Sequence, residues 1–160
     1  METQEHRLRS HDEIRSVVAK RLMLDAVYHP LGCGCCAVYF DYGFTYPSYL
    51  TYDDKFLALS PELQDIVLQH EIGHIVSFSV GTPAHMAFKA YTCWGSDGVH
   101  RNYEELRMAM EAEADMYAAM HVGLDKVINM LDSLADPDTR SHRDMRIYNL
   151  RVMWDMFYAY

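Results

Sequence analysis

Apolar residues return at helical spacing through most of this chain, and between residues 37 and 52 aromatic and β-branched residues take over. Ser10 with Glu13 forms a capping-box pattern, and Ile14, Val17, Val18, Leu22 and Val27 continue it as an amphipathic helix that ends before Pro30. Residues 31–36 read as a glycine-broken turn. Residues 37–40 and 48–52 read as strands, with Gly43 and Pro47 between them. Ser60 suits a helix N-cap and Pro61 the first helical position. Leu63, Ile66, Val67, Ile75 and Phe78 then repeat at helical spacing, up to a stop at Gly81 and Pro83. Residues 82–101 connect, with room for a short helix at 84–91 that could serve as a lid or as a plain linker. A helix capped by Asn102 and Glu105 runs to Gly123, and another covers 124–134. A last one begins at Asp136-Pro137 and turns Ile147, Leu150, Met153, Trp154 and Phe157 inward. The expected architecture is α+β and mostly helical, with a small antiparallel or mixed sheet packed on the helix of residues 61–80. One domain over residues 1–160 suits the length.

Composition narrows the class. Half of the residues are apolar, which is enough for a packed core. The formal net charge of −9 and the lack of a basic stripe argue against nucleic-acid binding. No apolar run approaches the ~18 residues of a membrane span. The polar start is unlike a signal peptide, so a cytoplasmic location is expected. Cys33, Cys35 and Cys36 lack the paired spacing of a structural zinc site and read as reduced thiols, as does Cys93. A second metal site at the three clustered thiols, or a thiol blocking the main one, is the competing reading.

The chemistry concentrates at His70-Glu71-Ile72-Gly73-His74. Histidines four residues apart on a helix share a face, about one turn apart, so two imidazoles can reach one ion. Glu71 leans to the same side and can take a proton from water activated there. Gly73 costs on the order of 1 kcal/mol relative to Ala in a helix, which is understandable if another backbone or a substrate passes close. A catalytic zinc needs a third protein ligand and one open position. Ser77 and Val80 stand where a metzincin would have Gly and His. Of the nine glutamates, only Glu111 has an aspartate four residues on, Asp115, placed to share its face and to hold a ligand histidine by its second nitrogen. Glu104, Met108, Glu111 and Asp115 form one stripe, and Glu113 points to the opposite side, toward solvent.

The stretch Leu-Ala-Leu-Ser-Pro-Glu-Leu-Gln-Asp-Ile-Val-Leu-Gln-His-Glu-Ile-Gly-His, ending at His74, and Glu-Ala-Glu-Ala-Asp-Met-Tyr-Ala-Ala from Glu111 resemble the catalytic core of gluzincin peptidases of the HtpX and CAAX-prenyl-protease type. The likeness runs on through Gly123 and Leu124, and Arg146-Ile147 with Leu150 is similar to the family's Arg-Ile-x-x-Leu ending. Those relatives usually carry transmembrane helices, and their His-Pro pair before that ending has no counterpart in register. The soluble ImmA/IrrE metallopeptidases share both motifs.

The resemblance implies a zincin-type fold with Zn2+ on His70, His74 and Glu111, Glu71 as general base, and Asp115 behind a ligand. The implied activity is zinc-dependent endopeptidase cleavage of a protein or peptide substrate. An edge strand beside the motif helix would hold an extended peptide, with Tyr39, Tyr42, Tyr46, Tyr49 and Tyr52 as candidates to line the cleft. His142 is the first candidate to stabilise the oxyanion, with Tyr117 and Arg146 behind it. Two alternatives stand beside this reading: an ImmA/IrrE-like regulatory peptidase cutting one repressor, and a metal-stabilised binding protein that does not cleave. The aromatic C-terminus is expected in the core or in a homo-oligomer contact, or as a tail occluding the cleft.

Overall fold

The computed structural model describes residues 7–40 and 46–158. Its elements are α1 (His11–Leu22), β1 (Asp25–Tyr28), β2 (Cys36–Phe40), β3 (Pro47–Tyr52), α2 (Asp54–Leu57), α3 (Pro61–Val80), α4 (Pro83–Trp94), α5 (Tyr103–Val122), α6 (Leu124–Leu134) and α7 (Arg140–Tyr158). The architecture is α+β and mostly helical, around a small mixed sheet.

The first helix is shorter than its apolar pattern predicts. The Ser10–Glu13 capping box opens α1, but Met23 turns left-handed at φ 55° and its amide closes on the Ala19 carbonyl. From there the burial period changes to two: Leu24 and Ala26 are buried, while Asp25 and Val27 are exposed. Val27 therefore belongs to β1, which gains a parallel ladder with β3. The sheet order is β1-β3-β2, with β2 antiparallel to β3 and at an edge. Leu50 and Tyr52 of β3 are fully buried against Ile14, Val18 and Phe56.

The two long helices follow their punctuation. Ser60 accepts the Leu63 amide at the start of α3, and Gly81, at φ 83°, ends it. Asn102 accepts the Glu105 amide at the start of α5, and Gly123 follows its end. These helices cross at Gly73. A Cβ there would sit 2.9 Å from the Ala114 carbonyl oxygen and 3.1 Å from the Ala114 Cα, so only glycine permits this approach. The crossing sets the distance between the side chains of the two motifs.

Helix α7 docks through Leu150, which is fully buried, with Ile147, Met153 and Trp154 partly buried beside it. Phe157 is 68% exposed and Tyr158 54%, so neither joins the core as their apolar character predicts: they lie about one turn past the last inward-facing positions, Met153 and Trp154. Neither lines the cleft described below, and residues 159–160 of the expected tail lie outside the described residues. Among the described residues no helix is long and apolar enough to cross a membrane.

Candidate metal centre

Three side chains converge between α3 and α5. His74 Nε2 lies 3.1 Å from His70 Nε2 and 3.1 Å from Glu111 Oε1, and His70 Nε2 lies 3.4 Å from Glu111 Oε2. Two ligands about 2.05 Å from one ion at a tetrahedral angle stand roughly 3.3–3.4 Å apart, so the spacing suits a common ion. Among the described residues this is the cluster of His, Cys, Asp and Glu side chains that could hold a metal.

Partners behind the three side chains assign their free electron pairs. His70 Nδ1 donates to Asp115 Oδ1 at 2.8 Å, since an ionised carboxylate only accepts. Asp115 is fully buried and also takes two bonds from Arg146, at 2.9 Å from Nε and 2.7 Å from Nη2. Arg146 Nη2 reaches Glu111 Oε2 as well, at 3.2 Å. On the other side, His74 Nδ1 lies 2.8 Å from His85 Nε2, and His85 Nδ1 donates to Glu113 Oε1 at 2.6 Å. A neutral His85 must then accept at Nε2, and the proton sits on His74 Nδ1. With His70 neutral, both Nε2 atoms of the pair would present lone pairs to one another and to the Glu111 carboxylate. Such a cluster is repulsive without a positive charge at its centre.

The electrostatics agree. Burial works against a charged His70, but Glu111 and Asp115 outweigh it and raise the imidazole to about 10. A cation held there would supply the same positive charge in place of that proton. Burial lowers His74. Burial opposes ionisation of Glu111 too, yet Arg146 and His70 hold it well below the usual carboxylate range. Glu71 is buried beside the cluster. Desolvation raises it to about 7, against the pull of His70 and the Val38 backbone.

No family model, curated protein or solved structure matches this chain. The site is therefore read from its own geometry. It opens into a cleft of about 510 Å³, with His70, Glu71, His74, Glu111 and Arg146 in its wall and the edge strand β2 along one side. Of the five tyrosines expected there, Tyr39 lines the cleft, stacked on Tyr49 with ring centroids 5.0 Å apart. Tyr52 instead lies in the core and bonds His11, Tyr46 is exposed, and Tyr42 falls outside the described residues.

His142 is not in the cleft wall. It is half exposed on α7 and pairs with Glu104 at 3.1 Å. Arg146, one turn further along α7, does line the cleft. Tyr117 does not line the cleft either; its Cβ packs against Gly73. Cys33, Cys35 and Cys36 do line it, but burial raises all three thiols, Cys35 to about 12, so they stay protonated at neutral pH.

Glu113 departs from its expected solvation, and His85 is a participant that the sequence does not mark. Glu113 does face away from the metal side of α5, but it is not solvated. Helix α4 covers it, and it accepts Thr82 Oγ1 at 2.8 Å and the Ala84 and His85 amides at 3.1 and 3.2 Å. It serves as the N-terminal cap that Thr82 itself does not supply. Apart from Thr82 Oγ1, 3.2 Å from its Nδ1, the ring partners of His85 lie 11 and 28 residues away, so the local sequence does not mark it. The connector of residues 82–101 is thus a wall of the site through α4.

Proposed function

We propose that this protein is a zinc-dependent endopeptidase of gluzincin type. The observation behind this reading is the convergence of two imidazole lone pairs and the Glu111 carboxylate next to a buried Glu71. Two nitrogens, one carboxylate oxygen and an open cleft suit a catalytic zinc better than a closed structural one. When bound, zinc supplies a Lewis acid that polarises a carbonyl and makes water acidic near neutral pH.

The chain's own residues carry the rest. An extended peptide pairs along the outer edge of β2 and brings its carbonyl to the cleft wall. Glu71 accepts a proton from the attacking water as the new carbon–oxygen bond forms. The same carboxyl returns that proton to the amine nitrogen as the carbon–nitrogen bond breaks. Burial disfavours its charged form, which makes this carboxylate a better proton acceptor than an exposed one. Arg146, rather than His142, is the cationic donor beside the reacting centre. Asp115 and Glu111 hold its guanidinium in place.

Wild type, Glu111→Ala and Glu71→Gln test this side by side. Wild type is expected to carry one zinc per chain by elemental analysis and to cut fluorescent-labelled casein. Glu111→Ala should lose the metal. Glu71→Gln should keep it while activity falls by at least about a hundredfold, in keeping with loss of a general base. Zinc content indifferent to Glu111, or undiminished cleavage by Glu71→Gln, would sink the assignment.

A further inference from the structure

His85 is fully buried, and both of its ring nitrogens are engaged. The hydrolytic scheme gives it no part. Its ring stands edge-on to Phe78 at 4.7 Å between centroids, so an apolar ring would fill this space without desolvating an imidazole. Its polar atoms instead join two others in a line. Glu113 accepts from His85 Nδ1, and His85 Nε2 accepts from His74 Nδ1. Glu113 is in turn fixed by Thr82 Oγ1 and by two amides of α4.

We propose that His85 and Glu113 are positioning residues for the metal centre, through a carboxylate–histidine–histidine relay that fixes the tautomer and ring plane of His74. The inference rests on the metal-site reading above.

A ligand histidine commonly donates its second N–H to a carboxylate, a carbonyl or water, which orients the ring and makes the ligating nitrogen more basic. His70 does this directly with Asp115. His74 cannot, because the two acids on its side of α5, Glu111 and Asp115, are already committed. The remaining acid of the run, Glu113, lies across α5, and the imidazole of His85 spans the gap. The three acids of Glu111-Ala112-Glu113-Ala114-Asp115 then divide the work. Glu111 ligates, and the other two each orient a histidine. Helix α4 becomes part of the site because its first turn carries the intermediate ring.

The full chain is compared as wild type, His85→Phe, His85→Gln, Glu113→Gln and Glu111→Ala. Zinc affinity is read by competition with a chelator, and the site's geometry by the visible absorption of the cobalt(II) form. His85→Phe keeps a ring but leaves the His74 N–H without an acceptor. It should weaken zinc by roughly 10–100-fold and alter the cobalt spectrum. His85→Gln offers an amide oxygen to His74 and an amide N–H to Glu113, and should restore much of the affinity. A purely structural role for His85 predicts no such rescue. Glu113→Gln keeps an acceptor and loses the charge, so a smaller weakening of the same sign is expected.

Folding is checked by the circular dichroism of each metal-free variant. The relay is overturned if folded His85→Phe binds zinc about as tightly as wild type, or if His85→Gln binds no better than His85→Phe. Should His85→Phe not fold, Glu113→Gln decides: unchanged zinc affinity there also overturns the relay. Wild type binding zinc while these variants match it rejects the relay alone. Wild type binding no zinc rejects the metal centre itself.

Discussion

Asp53 is buried, and its carboxylate accepts four backbone amides: Cys33 and Cys35 at 2.9 Å on one oxygen, Lys55 at 2.9 Å and Phe56 at 3.2 Å on the other. It caps α2 and at the same time pins the turn in which Gly34 and Cys35 take φ of 75° and 86°. That turn delivers β2 to the cleft. Burial alone would raise the Asp53 pKa, but the four amides outweigh it and hold the group below the usual range. A carboxylate lowered by folding stabilises above its unfolded pKa, about 3.9, and loses that contribution as pH falls through the folded value. Asp53→Asn is therefore expected to be less stable than wild type at neutral pH, and the difference should close below about pH 4. Urea denaturation at a series of pH values checks this; a gap that stays constant far into the acid range would count against the charged cap.

At the scale of elements, the crossing of α3 and α5 governs the site. Alanine at position 73 would recover about 1 kcal/mol of helix propensity. It would also push against the Ala114 backbone, which cannot move aside as a flexible side chain can. Overpacking of this kind typically costs about 1–3 kcal/mol. Gly73→Ala is expected to lower the stability of the metal-free protein and to weaken zinc, since separating the helices separates His70 and His74 from Glu111. Denaturation and zinc competition measure the two effects, and a stabilised variant would show that the helices do not meet this closely. The expectation of a homo-oligomer contact rests on the aromatic end of α7, where Phe157 and Tyr158 are exposed.

For the whole molecule, metal binding and folding should be linked. The ligands come from α3 and α5, and their supports come from α4 and α7, so unfolding disperses the site. A ligand that binds only the native state stabilises it by about 4 kcal/mol when present at roughly a thousand times its Kd. Zinc is expected to raise Tm, and a chelator to return it to the metal-free value. Glu111→Ala should show little of either shift. Differential scanning calorimetry provides the readout, and an equal shift in Glu111→Ala would mean that the stabilising metal sits elsewhere.

Much of this was legible in the residues themselves. Caps and stops for α3 and α5 are local: a side chain three residues from the amide it accepts, and a glycine where the helix ends. The spacing of His70 and His74, and of Glu111 and Asp115, is likewise set by one helical period. Gly73 carried its own hint, since a costly residue in a helix suggests a close neighbour. The early end of α1 was less apparent, because the short alternation from Leu24 does not outweigh the apolar period before it.

What covers the far face of α5 was settled by packing alone. Helical periodicity places Glu113 opposite Glu111, but whether solvent or another helix meets it depends on where the connector of residues 82–101 returns. The same holds for Arg146 against His142: both lie on α7, and which of them reaches the cleft follows from how Leu150 seats that helix in the core. Short-range pattern determined which residues could bind and activate. Long-range packing determined which partners hold them, because hydrogen bonds between distant segments depend on the chain's path and not on its period.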